Sequence, residues 1–421
     1  MELTVRSTPV FCGVDWAEDH HDIALVDAGG TQLAKARITD DVAGFAQLSD
    51  LLLEHGDSAQ APIPVAIETS RGLLVSCLRA SGRPVYAINP LSVARYRERY
   101  SVARKKSDSV DAAALANILR TDMAAHRPLP ADSELVRAIA VLARAQQDAV
   151  WDRGQAHNKL RSQLREFYPA ILTAFADHKQ GLCSREARSI LAAAPTPTAA
   201  AGLTRRKLQA LLAQAGRVRG IQAEADRLHE VFHRDYLHQP PRVEAALGQQ
   251  TTALLRQLNT ACLNADQLEA AAGQAFEEHP DAPIIRGFPG LGALTGARVL
   301  AEIGDDRTRF ASAESLKAYA GSAPVTRASG KSRVVMNRRV KNQRLAAVGY
   351  VWAFVSLTKS PGARAHYDRR RQAGDRHVAA QRNLFNRLIG MLFHCLQHGQ
   401  AYDEAKAFPI PPSEDRSAAA A

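Results

Sequence analysis

Disulfide, zinc and membrane chemistry are what this sequence is short of. Its five cysteines, Cys12, Cys77, Cys183, Cys262 and Cys395, are odd in number, far apart, and never fall in a CxxC or Cys/His spacing. That pattern excludes a disulfide framework and a Cys/His zinc site. No run reaches about 18 consecutive apolar residues, which excludes a transmembrane helix. The opening MELTVRSTPV has neither the basic start nor the long apolar run of a secretion signal. These absences predict a cytoplasmic protein, nucleoid-associated if its partner is DNA. Acid is also scarce: 43 Asp and Glu face 54 Lys and Arg, leaving a net charge of +11. Such an excess favours a polyanionic partner, of which nucleic acid is the usual one. The 421 residues, 46% hydrophobic and 23% charged, otherwise read as an ordinary globular chain. At roughly 150 residues per domain, they make two or three domains.

Between Val10 and Arg120, short β-rich runs alternate with helical periods, the pattern of an α/β domain. Strands are predicted over 10–14, 22–26 and 31–38, with the turn Asp27-Ala-Gly-Gly30 between the last two. A helix over 42–54, a strand over 64–68, a helix from 71, a strand over 84–88 and helices near 91–100 and 108–120 complete the order βββαβαβα. That order is that of the RNase H-like fold. Pro128-Leu-Pro130 marks a boundary, and from 132 to 279 the strand signal is gone. Leu135, Ile139 and Leu142, then Leu160, Leu164, Phe167 and Ile171, recur at helical steps of three and four. These stripes fit an intramolecular core or a dimerisation arm. The expected organisation is an α/β domain at 8–130, an all-α coiled-coil or helical arm at 131–280, a mostly α domain at 281–405 and a disordered tail at 406–421.

Four acids stand out in the first domain. Asp15 ends the first predicted strand and Glu68 the fourth, and these strands are neighbours in the proposed sheet order. Asp108 and Asp111, three apart in KKSDSVDA, start a helix. At that spacing they share one helical face and lie about 4.5 Å apart along the axis. Convergent carboxylates suit Mg²⁺ or Mn²⁺, and two ions about 3.5–4 Å apart can activate an attacking oxygen while stabilising a leaving one. Read singly, Asp108 and Asp111 are equally well first-turn acids on a helix dipole. Just before them lie Arg95, Arg97, Arg99, Arg104, Lys105 and Lys106, with only Glu98 opposing, a cluster suited to phosphates or to a solvated helix face.

In the last domain, Gly287-Phe-Pro-Gly290-Leu-Gly292 ahead of a helical run resembles the turn of a helix-hairpin-helix element, whose glycines let backbone amides approach a phosphate. A tight interhelical turn is the plainer reading. A helix capped by Ser312 is predicted to run to Tyr319 and stop at Gly321. The stretch from Ser322 to Lys331 reads as a loop from its Pro and Gly. Arg327, Lys331, Arg333, Arg338, Arg339, Lys341 and Arg344 follow one another without an intervening acid, as a phosphate-binding run would. Arg364, Arg369 to Arg371, Arg376 and Arg382 extend it. Ser329, between Ala328 and Gly330-Lys331, is a candidate phosphoryl-accepting nucleophile or a plain turn serine, and Ser322 is its rival.

The segments CGVDWA around Asp15, AIET around Glu68, Asn89-Pro90, KSDSVDA, FPGLG, AEIGD, AYAG and ASGK occur in an order that resembles the DEDD-type insertion-sequence transposases of the "IS one-ten" family. The resemblance covers nearly the whole chain. It implies a RuvC-like domain with a DEDD tetrad at Asp15, Glu68, Asp108 and Asp111, a coiled-coil connection, and a transposase domain with a catalytic serine at Ser329. It further implies donor and target DNA, a structured noncoding bridge RNA that pairs with both, and a homo-oligomer, dimeric and then tetrameric in the synaptic complex. Two alternatives are a RuvC-like metal-dependent junction nuclease that uses water, and a sugar-kinase-like ATPase. The nuclease leaves the basic last domain unexplained, and the ATPase lacks its second Gly-rich phosphate loop. The stretch 132–279 is longer than in compact members of the family.

Overall fold

The computed structural model describes residues 9–98, 108–330 and 332–409, with Asp108 and Ser109 described by their backbone alone. The cations Arg99, Arg104, Lys105, Lys106 and Lys331 therefore lie outside the described residues. The chain forms two compact units, 1–131 and 132–421.

In the first unit, strands β1 (Val10–Trp16), β2 (His20–Asp27) and β3 (Gln32–Thr39) form an antiparallel meander. Helix α1 (Val42–Glu54) leads to β4 (Val65–Ile67), α2 (Leu73–Ala80) to β5 (Val85–Ala87), and α3 (Pro90–Glu98) and α4 (Asp108–Asp122) follow. The sheet order is β3-β2-β1-β4-β5, with β4 and β5 parallel to β1. Both faces are covered because β1 is apolar on both. Cys12 and Val14 pack with Leu48 and Leu52 of α1 and Leu78 of α2, whereas Phe11 packs with Val93 of α3 and Leu115 of α4. The side of β1 that carries Phe11, Gly13 and Asp15 therefore faces α4.

The second unit is mostly helical. Its first half holds α5 (Glu134–Phe167), α6 (Pro169–Ala174), α7 (Arg185–Ala193), α8 (Pro197–Ala201), α9 (Arg205–Gln214), α10 (Ile221–Phe232) and α11 (Pro241–Glu277). At 34 residues, α5 is about 51 Å long. It runs antiparallel to α11: Gln163 bonds the Leu247 carbonyl at 2.9 Å and Thr251 at 3.0 Å, while Arg153 lies 4.0 Å from Asp266. Leu160, Leu164, Phe167 and Ile171 are all buried in a cluster with α7, α9, α10 and the first half of α11, so these stripes serve this chain's own core.

The second half contains α12 (Ala282–Arg286), α13 (Ala293–Ile303), α14 (Ala313–Tyr319), β6 (Val325–Ser329), β7 (Ser332–Met336), α15 (Gln343–Ser356), α16 (Pro361–Gln372), α17 (His377–His398) and α18 (Glu404–Ala407). Its core includes Val136 and Ile139 of α5 and Phe276 of α11, so packing is continuous across position 280. Ser312 caps α14, and Gly321 ends the turn after it with φ +72°. Two expectations change. The stretch read as a loop from Ser322 to Lys331 is largely strand, since β6 pairs antiparallel with β7 from Val325–Met336 to Ser329–Ser332. Folded chain also continues past 405, because Ala407 and Phe408 are buried, with Phe408 against Gly362 and His366. Among the described residues, no helix is long and apolar enough to cross a membrane.

Candidate active site

Gly13 fixes the site in the first unit. A Cβ there would come 2.0 Å from the Ala112 carbonyl and 2.5 Å from the Ala116 nitrogen, so α4 lies directly on the β1 backbone. At the other end of α4, the Arg120 guanidinium sits about where a Cβ on Gly30 would meet it, 3.1 Å away, in the β2–β3 turn. That turn lies beside the start of β1, where Val10 pairs with Asp27. Helix α4 therefore runs against the direction of β1 and brings its first turn, with Asp108 and Asp111, to the end where β1 and β4 finish.

Three acids lie in a row across that end. Asp15 pairs with Asp22 on β2, and the Val14–Ile67 register places Glu68 beside Asp15 at the carboxyl end of the neighbouring parallel strand. Asp15 and Glu68 are half-buried. Asp22 is almost fully buried and is neutralised by Arg37, which donates at 2.8 and 3.2 Å. Asp111 is buried too and accepts a hydrogen bond from Arg97. Arg97, grouped by sequence with the phosphate-binding cations, is thus turned onto one of the acids. Asp22 was not read from the sequence as a site residue, and Arg97 was read only as a phosphate-binding cation. Counting register back from the Asp27–Gly30 turn could have found Asp22, but nothing local signals the pairing of Arg97 with a residue 14 positions away. The donors are oxygen-only, which suits a hard divalent cation. Among the described residues, which omit the Asp108 side chain, no three donors are drawn together closely enough to cage one.

In the second unit, Ser329 ends β6 and is exposed, and Gly330 follows with φ +54°. Period-2 alternation puts Arg327 on the Ser329 side of the hairpin and Arg333 on the other. Arg327, Arg333 and Arg339 are exposed. Arg338 is half-buried, and the Lys341 stem lies over Gly321, where a Cβ would meet its Cδ at 2.1 Å. Arg344 is held within the chain, donating to Asp148 at 2.7 and 3.0 Å with its guanidinium 5.1 Å from the Trp151 ring centre. Ser322, the rival serine, is buried, and its hydroxyl bonds Asn386 at 2.9 Å and the Lys317 carbonyl. The FPGLG turn packs inward. Gly290 has φ +89° and leaves no room for a Cβ, with Ser356 N at 3.0 Å and the Trp352 carbonyl at 3.1 Å, and Trp352 Nε1 donates to the Pro289 carbonyl. Gly292 is exposed, but its N–H donates to Thr295 Oγ1 at 2.8 Å.

Residues 12–169 match the transposase family of the DEDD IS110 type, and residues 282–368 match the family described as transposase IS116/IS110/IS902. The chain is 61% identical over 402 residues to the mini-circle putative transposase for IS117 of Streptomyces coelicolor, covering 96% of this chain and 97% of that protein. It is 29% identical to the uncharacterised 42 kDa protein of insertion element IS900 of Mycobacterium paratuberculosis, covering 94% of this chain and 98% of the relative. The chain belongs to the IS110 transposase family.

The transposase is therefore an enzyme that cuts and rejoins DNA. A buried polar network sits behind its hairpin. Glu302 of α13 accepts from Arg144 of α5 at 2.7 and 3.1 Å and from Asn342 at 2.6 Å. Asn342 also donates to the Tyr319 hydroxyl at 2.7 Å and caps α15 through Leu345 N. The hydrogen bond to Glu302 raises the pKa of Arg144 above its ordinary value. Four helices of the transposase are thus tied together where the chain leaves β7 for α15.

Proposed function

We propose that the transposase cuts and rejoins donor and target DNA through a serine-linked intermediate formed by Ser329, in an RNase H-like, RuvC-type setting where Asp15, Glu68, Asp108 and Asp111 hold Mg²⁺ or Mn²⁺. The observation that carries the serine reading is the contrast between Ser329, exposed at the end of a hairpin strand with Arg327 on its side, and Ser322, buried and internally bonded. The metal reading rests on the delivery of the α4 first turn to the ends of β1 and β4.

A bound divalent ion would supply charge neutralisation at a phosphate and lower the pKa of an attacking oxygen. Ser329 Oγ attacks phosphorus, the bond to one deoxyribose oxygen breaks, and the serine proton ends on the released hydroxyl. Reversal by another strand's hydroxyl reseals the backbone with no external energy source, since the phosphoserine keeps the phosphodiester's free energy. Arg327, Arg333 and Arg339 hold flanking phosphates; we assign the same role to Arg338, Lys341 and Lys331 and, in the first unit, to Arg104, Lys105 and Lys106. The hairpin is exposed on both faces, Val334 and Val335 included, which suits a surface covered by a partner. A structured bridge RNA and further protomers, dimeric and then tetrameric, are the partners we assign, and the cytoplasmic nucleoid is the compartment.

Incubation with Mg²⁺, candidate RNA and end-labelled DNA should give a denaturation-resistant protein–DNA adduct, absent in Ser329→Ala and in Asp15→Asn. Cleaved free ends with no adduct in any variant would favour the water-using nuclease instead. RNA copurifying with the wild-type protein tests the guide.

A further inference from the structure

The helical arm holds two cysteines that the recombination reading does not use. Cys183 ends the short turn Gly181–Cys183, directly before the Ser184 cap of α7, and Cys262 lies on α11. The two thiols are close enough to influence each other's ionisation. Both line a cavity of about 510 Å³ whose other walls include Arg153, Lys179, Arg185 and Arg188, against the single acid Asp266. Arg188 is fixed in place by bonds to the Cys183 carbonyl at 3.2 Å and to Asn259 at 2.9 Å.

We propose that Cys183 and Cys262 form a dithiol modification site that hydrogen peroxide converts to an intramolecular disulfide. The cavity admits a molecule little larger than water to a sulfur that is otherwise buried. The cations around it favour thiolate, the reactive form. The Cys262 pKa is lowered, first by the neighbouring Cys183 thiol and then, against the opposing effect of burial, by the charges of Arg188 and Arg153. The remaining cysteines contrast with it: burial pushes the Cys12 thiol up to about 12 and raises that of Cys395, and Cys77 is exposed on α2 with no cysteine partner among the described residues.

The chemistry balances in two steps. The Cys262 thiolate attacks one peroxide oxygen, the O–O bond breaks, and the departing hydroxide takes up a proton as water, leaving a sulfenic acid. The Cys183 sulfur then attacks the Cys262 sulfur, the S–O bond breaks, and the hydroxyl leaves as a second water with the Cys183 proton. Two thiols lose two electrons and one peroxide becomes two waters. The product ties the turn before α7 to α11.

The test uses the reduced full chain, a few equivalents of hydrogen peroxide at neutral pH, alkylation of remaining thiols after unfolding, and peptide mapping. The expected result is a mass lower by about 2 Da before alkylation and one linked pair of peptides, bearing Cys183 and Cys262. Cys183→Ser should leave a dimedone-trappable sulfenic acid on Cys262, and Cys262→Ser should slow oxidation of Cys183 at least about tenfold. Absence of that link, a link through Cys77, or oxidation of Cys262 no faster than of Cys77 would overturn the assignment.

Discussion

Two serines seven positions apart, Ser322 and Ser329, have opposite surroundings, which agrees with the poorer match of the Ser322 context to the family's serine. The same holds for cations: Arg327 and Arg344 belong to one basic run, yet one is exposed and the other is held by Asp148 and Trp151. The two runs of positive charge were legible, whereas the partners that take Arg344 and Arg97 out of them lie on other helices, α5 and α4. Glu302 gives a first prediction. Replacing it with alanine leaves Arg144 without its counter-charge; because Arg144 is more than a third exposed, we expect a loss of about 2–3 kcal/mol, less than a fully buried pair would cost, read as a lower thermal midpoint. Asp305 gives a pH dependence. Burial is the largest influence on it and raises its pKa, but hydrogen bonds from Ser133 and His279 together outweigh burial, so the net shift is below 3.8. The folded state then binds the proton less readily than the unfolded chain. The resulting stability is present above that value and is lost as pH falls through the lower folded one. Urea midpoints followed from about pH 6 to pH 3 should fall less steeply in Asp305→Asn than in wild type.

Among the elements, α1 has the bounds its periodicity predicts, with Asp41 found as its cap, and the strands of the first unit depart from expectation by only a few residues. They were legible because each alternates or saturates apolar residues against a defined layer. The hairpin of β6 and β7 was not: nearly all of its side chains are exposed, so no alternation marks it, and Pro324 and Gly330 dominate the reading. The long helices α5 and α11 were seen only as stripes, since the sequence does not say which stripe meets which. The packing of α4 on β1 supports a sharper test. Gly13→Ala puts a methyl against backbone atoms of α4 that cannot yield, and should cost about 3 kcal/mol or more while displacing Asp111 from Asp15. Thermal melts should show the destabilisation, and cleavage should fall with it; an alanine accepted without loss would contradict the close contact.

For the molecule as a whole, a net charge of +11 makes DNA affinity strongly salt-dependent. Replacing both Arg327 and Arg333 with glutamine should weaken binding to any sequence and lower the slope of log affinity against log salt by about 1 for each phosphate contact removed, measured by fluorescence anisotropy from about 50 to 200 mM salt. An unchanged slope would remove the hairpin from the DNA-binding surface. The family matches stop at residue 169 and resume at 282, and the antiparallel pairing of α5 with α11 explains how the chain tolerates what lies between. The polypeptide leaves the C-terminal core along one rod and comes home along the other, so its points of departure and return are neighbours whatever distance is travelled. Length in this excursion is a free variable: equal numbers of turns can be deleted from, or spliced into, both rods to move the outer cluster nearer or farther while the junction with Phe276 and Ile139 stays where it is.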